Sequence, residues 1–158
     1  METSGAVLFA KNPFILPIVN RLLEDKKIWR EYWALVDRKF TPKHQVFRDK
    51  IGRDRHDRRK RVVDKKNGQT AVTIVDQLKN LGNHSLVKCR LETGRTHQIR
   101  VHLSHHGYPI VGDPLYNKYP QGRLMLHAHK LSLTHPLTLE KISVEAISKS
   151  FEAELRNQ

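Results

Sequence analysis

Residues 91–117 read LETGRTHQIRVHLSHHGYPIVGDPLYN: the end of a strand, a turn at Gly94, a helix, and an exit punctuated by glycine and proline. Thr96 is placed to cap the helix, which the pattern carries through His106. Ile99 and Leu103 lie four apart on one face, and Gly107 followed by Pro109 stops it. The same short element carries Arg95, His97, Gln98, Arg100 and His102. A helix that packs one face on a sheet cannot leave such groups idle, because a buried polar group without a partner costs free energy. They are there either to be paired or to act.

The chain on either side supplies the sheet. Residues 85–91 alternate, so Cys89 shares a face with Val87 and Leu91 and belongs to the core. Residues 70–75 form a strand that can pair with it as a hairpin across 79–83. Residues 28–36 are rich in aromatic and β-branched side chains and predict another strand. Toward the N-terminus, residues 6–10 predict a short strand. Asn12 then caps a helix with Pro13 in its first turn, running to about Lys26 with a delay or kink at Pro17. Residues 124–133 and 141–147 predict two more strands around a turn at Thr134, His135 and Pro136. The sum is an α+β fold, a mixed and largely antiparallel sheet with flanking helices, in one domain spanning 1–158. A single cysteine excludes an intramolecular disulfide and fits a reducing compartment. No apolar run approaches the roughly 18 residues of a membrane span. The first residues lack a signal-peptide pattern, so a cytoplasmic protein with no membrane partner is expected.

Charge separates one segment from the rest. The chain has 29 Lys and Arg against 16 Asp and Glu, and residues 38–66 alone hold 13 Lys and Arg against 4 Asp, or +9 of the net +13. This stretch, RKFTPKHQVFRDKIGRDRHDRRKRVVDKK, has little period and predicts a long loop or arm. Phe40, Val46, Phe47 and Ile51 are interleaved with the charges and can anchor it to the domain. That leaves Arg53, Arg55, Arg58, Arg59, Lys60 and Arg61 to face the phosphates of a polyanion or to stack on unpaired bases.

Three readings of residues 91–117 compete. A metal site could draw on His97, His102, His105 and His106, or on His127, His129 and His135. Only His102 and His106 have the i, i+4 spacing, and Leu103 stands where the zincin motif needs Glu, so no metal is expected. A structural role, with Arg95, Gln98 and Arg100 tying helix to sheet, suits the residues singly but leaves the string unexplained.

The third reading takes the string whole. It resembles the diagnostic motif of the RluA family of RNA pseudouridine synthases: TGRTHQIRVHL at 93–103, then GYPIVGD at 107–113 and Tyr116. The likeness extends to IWREYWALV at 28–36, similar to the family's K-x-Y-x-A-L-V, and to GQTAVT at 68–73. LHAHKL at 126–131 and HPLTLE at 135–140 resemble two further signatures. Thr3, Ser4 and Gly5 look like the end of R-L-D-x-x-T-S-G, whose aspartate is the family's nucleophile. By this resemblance the aspartate belongs one residue before Met1. The chain would then be an N-terminally truncated catalytic domain, lacking the family's preceding strands and any RNA-binding module ahead of them, through an internal start or a cut.

The resemblance implies a reaction without cofactor. Uridine becomes pseudouridine when the C1′–N1 bond breaks, the uracil turns and C5 bonds to C1′. A carboxylate attacks at C1′ or on the base, and it must be ionised, which a neighbouring arginine secures. Arg100 is that arginine by resemblance, with Arg95 the second choice and an RNA contact. Tyr32 stacks on the target base and helps remove the C5 proton. Glu2 is a poor substitute nucleophile, its side chain leaving the backbone elsewhere, and Asp113 is expected to be a turn residue. Two function classes follow: an RNA pseudouridine synthase acting on ribosomal or transfer RNA, inactive as this chain for lack of its nucleophile, or a non-catalytic RNA-binding protein. An exposed sheet edge beside residues 6–10 would favour self-association.

Overall fold

A computed structural model describes residues 3–156. The elements run β1 (Ser4–Gly5), α1 (Leu16–Glu24), β2 (Trp29–Val36), β3 (His44–Phe47), β4 (Ile51–Arg53), β5 (Arg61–Val63), β6 (Thr73–Leu81), β7 (His84–Leu91), α2 (Gln98–His105), β8 (Leu126–Thr134), β9 (Lys141–Glu145) and α3 (Lys149–Arg156). Seven strands make the main sheet in the order β1-β8-β2-β7-β6-β3, with β9 beside β1 on the same edge of β8. Every pairing is antiparallel except β1 with β8. β4 and β5 form a separate two-stranded hairpin. The α+β class and the mixed, largely antiparallel sheet are as the sequence indicates.

The core lies over the middle strands of the sheet. Val87 and Cys89 of β7, Ala34 and Val36 of β2 and Val75 of β6 are all fully buried, and Leu103 of α2 closes over them with Ile110. Each aliphatic side chain so buried contributes roughly 1.5–3 kcal/mol. Burial also pushes the Cys89 thiol well up, leaving a packing residue rather than a reactive one.

Four local expectations are corrected. Residues 6–10 are not a strand: β1 occupies the edge of β8 only at His127 and Ala128, and β9 takes that edge from Lys130 onward. The edge at this end of the sheet is therefore β1 with β9. α1 starts at Leu16, not at Asn12; the Asn12 side chain instead accepts the Phe14 N–H at 2.8 Å in a turn, and Pro17 sits inside the first helical turn, where a missing N–H costs nothing. Thr96 does not cap α2. The capping position is His97, left-handed at φ 58° with no side-chain cap.

The fourth concerns residues 38–66, which are not a loop. β3 extends the main sheet against β6, and β4–β5 folds back as a hairpin. Phe40, Phe47 and Ile51 anchor the segment at 4 % exposure or less, while Val46 is exposed. α3, which no pattern in the sequence announces, caps on Ser148 and buries Phe151 against His127. No described helix is long and apolar enough to cross a membrane.

Candidate functional site

α2 enters the core polar side first, and its polar groups are met one by one. The Gln98 amide donates to the Val72 carbonyl (2.9 Å) and to Thr73 Oγ1 (3.0 Å), while its oxygen accepts from Thr93 Oγ1 (2.8 Å) and the Arg95 N–H (3.0 Å). One buried amide thus joins β6, the turn at Gly94 and the helix. Arg100, buried on the next turn, donates from Nε and Nη2 to the two carboxylate oxygens of Asp113 at 2.8 and 2.6 Å. Its guanidinium also lies over the Tyr116 ring, 5.1 Å from the centroid. Asp113 is the turn residue expected, accepting the Leu115 and Tyr116 N–H groups. Its bidentate pairing with Arg100 goes beyond that expectation; a buried arginine followed by an aspartate in a glycine turn is the signal that could have found it.

Arg100 faces a cavity of about 490 Å³ whose wall includes Thr3, Tyr32, Arg95 and Gln98. Tyr32 reaches it from the middle of β2, where the register against β8 slips between Glu31 and Tyr32. The residue left over at the slip is His129 of β8, so β2 itself keeps its alternation. Burial pushes the Tyr32 phenol up, against the opposing pull of the Arg30 charge. The phenol is therefore neutral near neutral pH and offers a ring face and a hydrogen-bond donor.

Thr3 is held at the rim by the two residues after it. Gly5 has φ +112°, and a Cβ there would sit 2.2 Å from the Ala128 carbonyl oxygen, so only glycine fits against β8. The Ser4 hydroxyl accepts from Arg123 Nη2 (2.8 Å) and donates to His127 Nδ1 (2.8 Å), whose Nε2–H donates to the Ala146 carbonyl (2.9 Å). This chain of bonds fixes the direction in which the backbone arrives at the cavity. Glu2, weighed above as a substitute nucleophile, lies outside the described residues.

A second cavity, of about 320 Å³, adjoins the first through Arg95 and includes Arg53, Arg61, Asn67, Gln69 and Thr96. Arg53 and Arg61 are direct cross-strand partners in β4–β5. Like charges so placed repel, which favours a site that receives an anion. Arg95 is steadied by a bond from Nε to the Thr70 carbonyl (3.1 Å). Arg55, Arg58, Arg59 and Lys60 lie in the hairpin loop beyond, where Arg59 pairs with Asp57 at 2.8 Å and holds that carboxyl down at about 2. Tyr116, singled out only as part of a motif, bridges the two cavities: its hydroxyl accepts the Arg61 N–H (2.8 Å) and bonds His97 Nδ1 (2.9 Å).

The histidines of the discarded metal reading are otherwise engaged. His102 bonds Thr73 Oγ1 and the Asp49 carbonyl, and His106 bonds the Asp49 carboxylate at 2.7 Å while stacked on Phe47.

Known proteins resemble this chain in sequence and in fold. The family model described as RNA pseudouridylate synthase matches residues 1–105. The uncharacterized RNA pseudouridine synthase YhcT of Bacillus subtilis is 42 % identical over 161 residues, covering 99 % of this chain and 52 % of the relative. The ribosomal large subunit pseudouridine synthase D of Neisseria meningitidis serogroup A is 40 % identical over 162 residues, covering 92 % of this chain and 42 % of the relative. The chain thus spans about half the length of the curated relatives it matches. Among solved structures, human RNA pseudouridylate synthase domain containing 1 superposes with a TM-score of 0.77 at 26 % identity, over 91 % of this chain and 65 % of that one.

Proposed function

The chain belongs to the RluA family of RNA pseudouridine synthases, and from that premise we propose that it forms the substrate-facing part of a cytoplasmic catalytic domain that isomerises uridine to pseudouridine in ribosomal or transfer RNA. The observation that carries the proposal is the cavity in which Tyr32, Arg100 and Thr3 meet, with arginine-lined space adjoining it. A target nucleotide turned out of its stack presents its base to the Tyr32 ring. Flanking phosphates lie along Arg95, Arg53 and Arg61, and more distant ones along Arg55, Arg58, Arg59 and Lys60.

The chemistry follows from who neighbours whom. A nucleophilic carboxylate delivered just ahead of Thr3 reaches the Arg100 side of the cavity, where the guanidinium favours its ionised form. Attack at C1′ or on the base allows the C1′–N1 bond to break. The freed uracil turns, C5 bonds to C1′, the C5 proton leaves and N1 ends protonated. No electron is gained or lost, so no redox cofactor enters. Asp113 keeps Arg100 in place without being consumed, and Tyr32 supplies the stacking face; a share of Tyr32 in removing the C5 proton works against the burial that pushes its phenol up.

Within the 158 residues no aspartate stands at the nucleophile position of the motif. We infer that these residues alone bind RNA without converting it; the second reading, a non-catalytic RNA-binding protein, is favoured by the arginine-lined cavity beside the hairpin. Self-association through the β1 and β9 edge belongs to the same proposal. The test is tritium release from RNA carrying C5-labelled uridine, run with this chain and with a version preceded by Arg-Leu-Asp. Release by the extended protein alone is the expected result. Release by the short chain refutes the placing of the nucleophile, and silence from both favours the binding protein.

A further inference from the structure

Arg30 stands out among the cations of the protein. It lies two residues before Tyr32 on β2, so the two side chains share a face about 6.7 Å apart along the strand. Half-buried, it has no hydrogen bond or ion pair to any described residue, and its Nε is buried with no acceptor. Arg90, the other arginine with an unmatched buried Nε, at least approaches Asp76 at 3.9 Å. Burial pulls the Arg30 pKa down, and the nearest titratable group acting on it is the neutral phenol of Tyr32. A desolvated charge without a counter-ion is expensive, and proteins place one where a ligand supplies the missing partner.

Two features place it. A cavity of about 440 Å³, walled otherwise mostly by aliphatic side chains, is shared by Arg30, Tyr32, Thr3 and Ser4, and it meets the Arg100 cavity at Thr3 and Tyr32. The Arg30 guanidinium also lies against Gly94, where a Cβ would come within 2.6 Å of Nη1 and make the side chain shift.

We propose that Arg30 binds a phosphodiester group of the RNA, the one flanking the nucleotide whose base lies against Tyr32. The inference rests on the RNA reading above and adds to it a phosphate site beside Gly94, in the cavity that Tyr32 shares with Ser4.

The test uses the native chain, Arg30→Met, Arg30→Lys and Gly94→Ala with a short uridine-bearing single-stranded RNA, across a salt series. Arg30→Met is expected to weaken binding about ten-fold at low salt and to lower the slope of log K against log salt by about 0.7, the value for one neutralised phosphate in single-stranded nucleic acid. Arg30→Lys retains most of that slope, and Gly94→Ala loses affinity because the added Cβ displaces the guanidinium. The RNA-free Arg30→Met protein melts no lower than the native one, since an uncompensated charge has been removed. Unchanged affinity and slope in Arg30→Met overturn the inference, as does a lower melting point with the slope intact. If the native chain binds no RNA, the functional reading fails. The site is then judged with inorganic phosphate, which should raise the melting point of the native chain and not of Arg30→Met; an equal rise in both overturns it.

Discussion

Around α2 the charged and polar side chains find partners inside the protein, whereas along the β4–β5 hairpin the arginines face outward with few. Arg100 is clamped by both oxygens of Asp113; Arg53, Arg55 and Arg58 make no side-chain hydrogen bond or ion pair among the described residues, and only Arg59 has a carboxylate, Asp57. The charge is the same and its work differs. A paired, buried arginine is fixed in direction and suited to hold a reacting carboxylate. An unpaired one at the surface is suited to phosphates whose path varies. Arg30 stands between the two, half-buried and unpaired like the second.

That contrast is most easily broken at Asp113. Asp113→Ala takes the bidentate carboxylate away from the buried Arg100 and is expected to cost about 3–5 kcal/mol, read as a shift in the urea midpoint; a loss below about 1 kcal/mol would mean that other groups compensate the Arg100 charge. Gln98→Ala removes four hydrogen bonds made by one amide. It is expected to cost about 1–3 kcal/mol through the orphaned groups, measured in the same way.

The pairing around His102 sharpens the contrast through pH. Burial holds His102 below the ordinary imidazole value, with the bond to the Asp49 carbonyl opposing. The unfolded chain takes up this proton at about pH 6.5 and the folded protein only lower. Stability from this residue is therefore complete above about pH 6.5 and declines as pH falls toward the folded value. Urea midpoints at pH 7.5 and 5 should differ less in His102→Gln than in the native chain; an equal difference rules the mechanism out. Smallest in stability is the effect of Arg55→Ala with Arg58→Ala, expected within about 0.5 kcal/mol. The same pair should lower the salt slope of RNA binding by about 0.7 for each phosphate that goes without its arginine.

Much of this was legible in the sequence where period and burial coincide. β7 follows a run read from its alternation and β2 one read from its aromatic and β-branched residues, and the motif from Thr93 to Tyr116, with the one around Tyr32, marked two side chains that meet in one cavity's wall. Legibility ended where tertiary pairing decides. Residues 6–10 are apolar enough for a strand, but β8 has no open edge for them beyond Ala128. β3, β4 and β5 are three or four residues long and flanked by runs of charge, so their period was hidden. The Asp113 clamp, the Tyr116 bridge and the contact of Arg30 with Gly94 join residues distant in the chain, and no local pattern announces them.

The central claim is that the cavity bounded by Tyr32, Arg100 and Thr3 receives the uridine while the hairpin holds the strand. Titrating the isotopically labelled chain with a short uridine-bearing RNA and following backbone amide resonances tests it directly, with no need for the nucleophile. Saturable shifts at Thr3, Tyr32, Gly94 and Arg95, together with those of the hairpin, are the expected result. Shifts confined to residues 53–61, with the cavity silent, would contradict the claim and leave an RNA-binding surface without a uridine site.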